Sequence, residues 1–371
     1  MRKKAIMVVM NVLDTDARVQ RAARALEECV DITVIGIGKS SGEQMYAQIL
    51  LSINSRIGIF RYFEYLRKVK RFLRRNIFDI FYAHDYFSAA LVSWVRRKFP
   101  KTVIIYDSHE LIFPAKGFSN SKRDAFFSYF EKKAIKSANL VICASTERAS
   151  LMKDYYQMSE SPLVIENISQ LEIIQDNNSQ GYLDKANGIL RSNGLILVYA
   201  GVLSQGRKID SLIDIVEERS YTKLLIIGGG PERQRLEMIA SEKIPGRYYF
   251  TGSIPYKYMG ILLKECDVGY ISYPTDSLNN TYCASNKIYE YASVALPMIA
   301  TNNPTINSLF EEYSIGVIDS NLGNAFDKII SNIEGYKNNC IKFTDSHQWS
   351  EKAAQLVRTI EELIYKGEKN D

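Results

Sequence analysis

The sequence has 371 residues, of which 46% are hydrophobic and 24% are charged, so its length suits two globular domains with sizeable cores. No apolar run approaches the roughly 18 residues that span a bilayer, and the apolar part of the start, MRKKAIMVVM, is too short for a signal peptide. The five cysteines are scattered without a C-x-x-C pair, which argues against a disulfide framework and a zinc site. We therefore expect a cytoplasmic protein without bound metal.

The net charge of +5 is unevenly distributed along the chain. Residues 1–180 carry 27 Lys and Arg against 19 Asp and Glu, a net charge of +8, whereas residues 181–371 carry 20 against 23, a net charge of −3. We expect the N-terminal half to meet anionic partners.

In the first half, short apolar runs rich in β-branched residues alternate with amphipathic stretches. The predicted strands are 4–10, 31–37, 79–83, 102–107, 139–143 and 163–166, and the predicted helices are 16–29, 57–76, 86–98, 121–138 and 146–157. Such alternation predicts a parallel sheet with right-handed helical crossovers.

The second half repeats this pattern after a polar stretch that is typical of a linker. Its predicted strands are 195–200, 222–228, 247–251, 267–271, 297–300 and 315–318, with helices between them and a last helix at about 348–366. We predict an α/β protein of two Rossmann-like, doubly wound domains with an interdomain cleft. The predicted divisions are a first domain (1–168), a linker (169–193), a second domain (194–346) and a C-terminal segment (347–371) that packs back across the domain junction.

Polar residues that follow the strands of the first half are candidates for ligand binding, because doubly wound sheets bind ligands beyond the carboxyl ends of their strands. Asp16 and Arg18 follow the first strand, His84 and Asp85 follow the third, and His109 follows the fourth. Asp16 could equally cap the first helix, and a lone histidine could equally be structural. The position of His109 at a strand end favours a functional role.

In the second half, Gly201 and Arg207 follow the first strand, and Gly229 and Gly230 follow the second. An arginine can pair with a diphosphate through its planar guanidinium group. The glycine turn matches neither a G-x-G-x-x-G fingerprint nor a Walker loop, and we expect it to make room for a nucleotide.

Within the stretch 281–304, a short predicted helix starts at Ser285, Asn286 and Lys287, and Glu290 follows one turn later. The unpaired N–H groups of a helix start favour an anion. This stretch predicts the diphosphate end of a nucleotide-sugar site.

Six segments, YDSHE, SANLVICAS, G-x-L-x(3)-R-K-I-D, LLIIGGGPE, YYFTGSIP and SNKIYEYASVALPMIA, occur in an order that resembles the retaining GT-B glycosyltransferases of family four. The resemblance covers nearly the whole chain, including WSEKAAQL near its end. It implies a nucleotide-sugar donor held mainly by the second domain, an acceptor approaching mainly from the first, and neither a cofactor nor an obligatory metal.

The resemblance also implies residue roles. Arg207 would contact the donor diphosphate, Glu290 the ribose, and His109 the donor sugar and its phosphate, while the base would pack against the turn that contains Ser253 and Ile254. The implied reaction is the transfer of a hexose with retention at the anomeric carbon. Arg207, Lys287 and the helix start at Ser285 would stabilise the charge on the leaving diphosphate.

Two positions depart from the family pattern. Tyr282 stands where many members carry a carboxylate that grips the transferred sugar, and Val202 stands where they carry an arginine. A catalytically silent GT-B partner subunit and a nucleotide-sugar epimerase therefore stay open as alternatives.

Residues 56–75 carry eight Lys and Arg against one acid, Glu64, with apolar residues at helical spacing. Such a basic amphipathic helix is typical of a surface that docks on anionic lipid, although a core-packed helix with a solvated basic face would give the same pattern. Nucleic acid is a weaker alternative, because no binding module accompanies the charge. Docking on the inner face of the plasma membrane would suit a lipid-linked saccharide acceptor and the assembly of cell-surface polysaccharide.

Overall fold

The structure, a computed structural model, describes residues 2–38, 46–118 and 122–369. The chain divides into two compact units, the first formed by Met1–Glu166 with Trp349–Asp371 and the second by Asn167–Gln348. Each unit contains one parallel sheet with helices between successive strands. This confirms the two doubly wound domains that the sequence predicts.

The described part of the first unit has a seven-stranded sheet in the order β3-β2-β1-β4-β5-β6-β7. Its strands are β1 (Lys4–Val12), β2 (Asp31–Ile37), β3 (Ala47–Leu51), β4 (Ile80–His84), β5 (Val103–Asp107), β6 (Leu140–Cys143) and β7 (Leu163–Val164). Its first five helices are α1 (Ala17–Glu27), α2 (Gly58–Leu73), α3 (Tyr86–Lys98), α4 (Lys122–Ser137) and α5 (Thr146–Tyr156).

The central strands of this sheet are buried on both faces, which is why they form continuous apolar runs. In β4, for example, all five residues are buried. The order of the strands reverses between β1 and β4, and the carboxyl ends of these strands flank the point at which doubly wound sheets bind ligands. Strand β3 was not predicted: it is an edge strand whose side chains are only half-buried or exposed.

The second unit repeats the arrangement with six strands among its described residues, in the order β10-β9-β8-β11-β12-β13. Its strands are β8 (Leu195–Ala200), β9 (Thr222–Ile227), β10 (Tyr248–Gly252), β11 (Val268–Ile271), β12 (Met298–Ala300) and β13 (Gly316–Ile318). Its helices are α6 (Asn177–Leu190), α7 (Asp210–Glu217), α8 (Arg233–Lys243), α9 (Met259–Leu263), α10 (Leu278–Thr281), α11 (Asn286–Ala292), α12 (Pro304–Tyr313), α13 (Leu322–Ser331) and α14 (Ile333–Ser346).

Helix α6 lies inside the range 169–193 that the sequence assigned to a linker. Asp176 and Ser179 form a capping box at its start, and the buried Ala186 and Ile189 show that one face is packed. The helix contacts β10 and α9, so this polar stretch is part of the second unit. Its many Asn, Ser and Gly residues, which suggested a linker, lie mostly on the exposed face and at the cap.

The last helix, α15 (Trp349–Lys369), belongs to the first unit although it follows the second in the chain. It packs against α1, where Leu356 and Ile360 are fully buried in the same core as strands β1, β2 and β4. Lys352 also pairs with Glu166 at 2.8 Å. Throughout the three described ranges, we find no helix with both the length and the apolarity needed to cross a bilayer.

Candidate active site

Four polar side chains meet at the carboxyl ends of β4 and β5 in the first unit. Arg18, from the first turn of α1, donates hydrogen bonds from Nε and Nη2 to both oxygens of Asp107, with a shortest distance of 2.7 Å. His84 Nδ1 lies 3.5 Å from Asp107 Oδ2, and His109 Nε2 lies 3.9 Å from the same oxygen. The two imidazoles contact each other directly, with 3.0 Å between His84 Nδ1 and His109 Nε2.

The charges in this cluster of Arg18, His84, Asp107 and His109, which we call the histidine cluster, follow from burial and pairing. Burial alone would raise the pKa of Asp107, but Arg18 and the two histidines outweigh it and hold that pKa well below its usual value. Burial lowers the pKa of His109 to about 4, and the neighbouring His84 and Arg18 reinforce the effect against the attraction of Asp107. At neutral pH, Asp107 is therefore ionised and His109 is neutral.

Three of these residues also offer ligand atoms to a cation, since His84, Asp107 and His109 place one such atom each within 4.8 Å of the others. Arg18 already supplies a positive charge to the Asp107 carboxylate, and this charge opposes a divalent ion at the same place. The arrangement therefore favours a hydrogen-bonded cluster over a metal centre.

The other residues predicted on the acceptor side have local partners. Asp16 caps α1 by accepting a hydrogen bond from Val19 N at 3.2 Å, which is the capping role that the sequence left open. Asp85 caps α3 by accepting a hydrogen bond from Tyr86 N at 2.7 Å. Its backbone has a φ of 64°, a conformation that is costly for a residue with a side chain, and burial raises its pKa well above the usual value.

His84 and Arg18 differ from the prediction that they line an acceptor site. The His84 side chain is fully buried, and that of Arg18 is only 10% exposed. Arg18 additionally donates a hydrogen bond to Ile165 O at 2.8 Å. In this cluster, His109 is the most exposed of the three ionisable side chains that surround Asp107, at 17%. His109 is therefore the member of the cluster that a ligand can reach.

In the second unit, the glycine turn after β8 and the glycine turn after β9 are in close contact. A Cβ atom on Gly228 would lie 2.0 Å from Gly201 O, and one on Gly230 would lie 2.3 Å from Leu203 O. Hydrogen bonds from Gly201 N to Ile227 O and from Leu203 N to Gly229 O join the turns. These glycines make room for neighbouring backbone, which differs from the expectation that the turn makes room for a nucleotide.

Two basic side chains lie against the ring of Tyr273, which follows β11. The Arg207 guanidinium carbon is 4.4 Å from the ring centroid, and Lys287 Nζ is 5.8 Å from it. Arg207 also donates a hydrogen bond to Ser272 O at 2.5 Å, and the Tyr273 hydroxyl donates one to Ser285 Oγ at 2.9 Å. We call Arg207, Tyr273 and Lys287 the cationic platform.

Lys287 also borders the first glycine turn, since a Cβ atom on Gly201 would lie 3.3 Å from its Nζ. Burial lowers the pKa of Lys287, an effect that Glu290 opposes and Arg207 reinforces. The structure therefore brings Gly201, Arg207, Ser285 and Lys287 together. It places two positive groups where an anion would reduce their mutual repulsion.

Glu290 lies one turn beyond Lys287 in α11 and is 7% exposed. It accepts a hydrogen bond at 3.0 Å from the hydroxyl of Tyr256, which also contacts Ser169 Oγ. Ser253 is exposed and Ile254 is half-buried just after β10, and a Cβ atom on Gly229 would lie 3.0 Å from Ser253 Oγ. Gly229 and Ser253 are therefore neighbours, as a shared site requires.

The start of α11 differs in detail from the expectation of a helix end that binds an anion. The helix has seven residues, and the Ser285 side chain makes no cap but accepts the Tyr273 hydrogen bond. Asn286 begins the helix and is half-buried. The basic side chains of Arg207 and Lys287, rather than the dipole of so short a helix, supply most of the positive potential here.

Sequence reasoning assigned no role to three residues that organise these groups. Asp107 ends a strand in the segment YDSHE, yet its neighbours drew attention to the histidine instead. Tyr273 and Tyr256 are aromatic residues just after strands, and nothing in their spacing distinguishes them from core tyrosines. A search for ionisable or aromatic residues at every strand end would have found Asp107 and Tyr273.

Two family models match the chain. The model described as "Glycosyltransferase Family 4" matches residues 17–167, and the one described as "Glycosyl transferases group 1" matches residues 194–333. Together they cover most of the sequence, and each falls almost entirely within one of the two units. A search of curated proteins gave no match.

Solved structures share the fold at low sequence identity. Sucrose-phosphate synthase from Thermosynechococcus elongatus has a TM-score of 0.77 at 15% identity, over 98% of this chain and 100% of that one. HepE from Anabaena in complex with UDP and glucose has a TM-score of 0.73 at 15% identity, over 98% and 100%. WaaG, a glycosyltransferase involved in lipopolysaccharide biosynthesis, has a TM-score of 0.69 at 14% identity, over 96% and 99%.

The two parallel sheets, the paired family models and these neighbours define a glycosyltransferase of the GT-B fold. Within that class, the two family models place the chain among the family 4-like glycosyltransferases.

Proposed function

We propose that this enzyme transfers a hexose from a nucleoside diphosphate sugar to a saccharide or lipid-linked saccharide, with retention of the anomeric configuration and without a metal ion. The observation that carries the proposal is the cationic platform beside the buried carboxylate of Glu290. A diphosphate suits Arg207 and Lys287, and a carboxylate can hold the two vicinal hydroxyls of a ribose. The solved structures of HepE contain UDP and UDP-glucose, which supports a nucleotide sugar as the donor.

In the proposed reaction, the bond between the anomeric carbon and the diphosphate oxygen breaks, and negative charge grows on the leaving phosphate. The acceptor hydroxyl oxygen bonds to the same carbon on the same face, and its proton passes to the leaving phosphate. Arg207 and Lys287 would stabilise this charge in place of a metal ion, because both carry their positive charge beside the Tyr273 ring, 4.4 and 5.8 Å from its centroid. His109 would act on the donor sugar, and the acceptor would approach from the first unit near Asp85.

A panel of nucleotide sugars tests the proposal. We expect one or a few of them to raise the melting temperature of the protein, and the same compounds to release nucleoside diphosphate when an acceptor saccharide is added. The assay is run with chelator and with added Mg²⁺, and we expect equal rates. Binding without turnover on any acceptor would instead favour a silent GT-B partner, for which Tyr282 in place of a carboxylate is the supporting observation.

We propose further that the first unit docks on anionic lipid at the inner face of the plasma membrane, so that the enzyme is cytoplasmic and peripheral. One face of α2 is packed, since Tyr62, Leu66 and Val69 are buried. The other face is basic and carries apolar side chains in water: Phe60 is 60% exposed and Phe63 is 51% exposed. The core-packed alternative explains the first face but leaves the second unexplained.

Helix α4 extends this surface. Its Phe126 lies 6.4 Å from the ring of Tyr62 in α2, and its Tyr129 is 56% exposed. The exposed basic residues of the two helices are Arg61, Arg67, Arg71, Lys122, Arg123, Lys132, Lys133 and Lys136. Exposed aromatic rings among basic side chains are the features that bind a protein to an anionic membrane surface.

Vesicle flotation tests the docking proposal. We expect the protein to float with vesicles that contain anionic phosphatidylserine or phosphatidylglycerol, to float less at high salt, and to stay behind with neutral phosphatidylcholine. Phe60→Ser combined with Phe63→Ser should reduce flotation about tenfold or more. The matched control is Tyr221→Ser, which removes an equally exposed ring (52%) from the second unit. Equal flotation on both lipids would overturn the proposal.

A further inference from the structure

The contact between the two imidazoles of the histidine cluster limits which ring nitrogens can carry a hydrogen. His84 Nδ1 and His109 Nε2 are 3.0 Å apart, so one of these nitrogens carries a hydrogen and the other accepts it. Which one donates decides where His109 keeps its own proton. It therefore decides what His109 presents to a ligand.

The surroundings of His84 identify it as the donor. Its Nδ1 also lies 3.5 Å from Asp107 Oδ2, and a hydrogen on Nδ1 is attracted to this ionised oxygen, whereas a lone pair would be repelled. Its Nε2 is buried and has no hydrogen-bond partner among the described residues. A buried lone pair without a partner costs less than a buried N–H without one.

The ring of His84 is held in the orientation that this donation requires. It is fully buried and stacks on Tyr82 with 4.3 Å between centroids and 12° between planes. Tyr82 in turn donates a hydrogen bond from its hydroxyl to Asp107 Oδ2 at 3.2 Å. His84 therefore cannot turn away to release His109 without disturbing the core of the first unit.

We propose that His84 is a positioning residue that fixes His109 as the tautomer with its hydrogen on Nδ1. His109 Nε2 then accepts the hydrogen bond from His84 and is not available as a base. The group that His109 offers to a ligand is an N–H donor, suited to a hydroxyl or phosphate oxygen. This last step rests on the proposed function, since it takes the ligand to be a sugar phosphate, but the tautomer itself does not.

Nitrogen NMR of the full-length protein, labelled with ¹⁵N in histidine, tests the tautomer without any substrate. The chain contains three histidines, His84, His109 and His347, so the six ring nitrogens can be assigned with single variants. At neutral pH we expect His84 and His109 each to carry hydrogen on Nδ1 and a bare Nε2. Hydrogen on Nε2 of His109 in the wild type would overturn the proposal.

Two amide variants test the positioning role. His84→Asn keeps an N–H group near the place of Nδ1, whereas His84→Gln moves the amide to the far end of the side chain, near the place of Nε2. We expect His109 to keep its tautomer in the Asn variant and to become a mixture of both tautomers in the Gln variant. An unchanged tautomer of His109 in the folded Gln variant would show that His84 does not set this tautomer.

Kinetics then separates this proposal from the proposed function. With the donor and acceptor found by the nucleotide-sugar panel, we expect kcat to fall about tenfold in the Gln variant, to recover in the Asn variant, and KM for the donor to change little. The expected NMR result without any sugar transfer would leave the tautomer established and the proposed function refuted. Transfer at equal rates in both variants would refute the positioning role alone. If neither variant folds, the wild-type spectrum still decides the tautomer.

Discussion

At the scale of single residues, both candidate groups are built around one charged or aromatic side chain that holds the others. Asp107 joins Arg18 to the two histidines, and Tyr273 lies against both Arg207 and Lys287. The sequence could predict the residues that stand at strand ends, because the carboxyl edge of a parallel sheet is a known place for ligands. It could not predict that these two strand-end residues hold the others together, because that role depends on neighbours from other strands.

Replacing Arg207 tests the cationic platform. Arg207→Ala should lower the rate of sugar transfer by about 10²- to 10³-fold, because it removes a fixed positive charge from the leaving diphosphate. Glu290→Ala should strongly lower the rate of sugar transfer, mainly because the donor binds more weakly. Arg235→Ala is the control: it removes an exposed arginine of the same unit that pairs with Glu232 on the surface, and should keep its activity. Full activity of the first two variants, with melting curves like those of the wild type, would refute the site assignment.

The buried pair of Arg18 and Asp107 should dominate acid sensitivity. The folded-state pKa of Asp107 lies below its usual value, so its contribution to stability is fully present above about pH 4 and is lost as the pH falls through the folded-state pKa. Asp107→Asn leaves Arg18 buried without its countercharge and should cost about 3–5 kcal/mol at pH 7. Denaturant unfolding of the wild type and the Asp107→Asn variant from pH 7 to pH 3 should show that their difference in free energy of unfolding becomes smaller at low pH.

A surface pair provides the control for that measurement. Arg219 and Asp327 make the same two-bonded contact in the second unit, at 2.8 and 2.7 Å, but the Asp327 side chain is 56% exposed. Asp327→Asn should therefore cost less than about 1 kcal/mol at any of these pH values. Equal losses for the two variants would show that burial does not set the strength of the Asp107 pair.

At the scale of elements, the apolar runs predicted twelve of the strands because buried strands of a parallel sheet lack polar interruptions. The two differences have physical causes. Strand β3 lies at a sheet edge and has no fully buried residue, so its sequence carries little of this signal. Helix α6 packs through only one narrow face, so the composition of its remaining, polar residues resembles that of a linker.

Helix α4 carries a buried acid that explains how it docks on the sheet. Glu131 is fully buried and accepts hydrogen bonds from the hydroxyls of Tyr106, Ser108 and Tyr156. Among the residues that the structure describes, no basic side chain pairs with it. Burial raises its pKa, which the three hydrogen bonds only partly offset, so ionising Glu131 lowers stability as the pH rises through its folded-state pKa.

Glu131→Gln should thus change the free energy of unfolding by less than about 1 kcal/mol at pH 7 and remove this pH dependence, because an amide keeps the oxygen that accepts two of the bonds. Glu131→Ala should cost at least about 3 kcal/mol, since it leaves three buried hydroxyls without their acceptor. Denaturant unfolding measures both. A Gln variant as unstable as the Ala variant would show that the negative charge itself is needed.

At the scale of the whole molecule, the two units are not two consecutive pieces of chain. The first unit takes its last helix, α15, from beyond the second. The sequence analysis predicted this helix and expected it to pack back across the domain junction. The hydrophobic pattern alone does not identify the core that it joins, because an apolar face is compatible with any neighbouring apolar surface.

Truncating one buried side chain of α15 tests how far the first unit depends on it. Leu356→Ala should lower the free energy of unfolding of this unit by about 2–5 kcal/mol, because Leu356 is 1% exposed in the core below β1. Tyr365→Ala, at an exposed position of the same helix (57%), should change it by less than about 0.5 kcal/mol. Hydrogen exchange followed by mass spectrometry should show faster exchange in β1, β2 and α1 of the Leu356 variant and unchanged exchange in β8 and β9.

The route of the chain through α15 also sets an order for folding on the ribosome. The sheet strands of the first unit are synthesised first, but the helix that completes their core is synthesised after the entire second unit. Because domains begin to fold as they emerge, the second unit can reach its native state while the first still exposes the apolar face of α1 and the strands beneath it. We therefore expect the N-terminal unit to expose apolar surface to chaperones for longer than the second unit during translation.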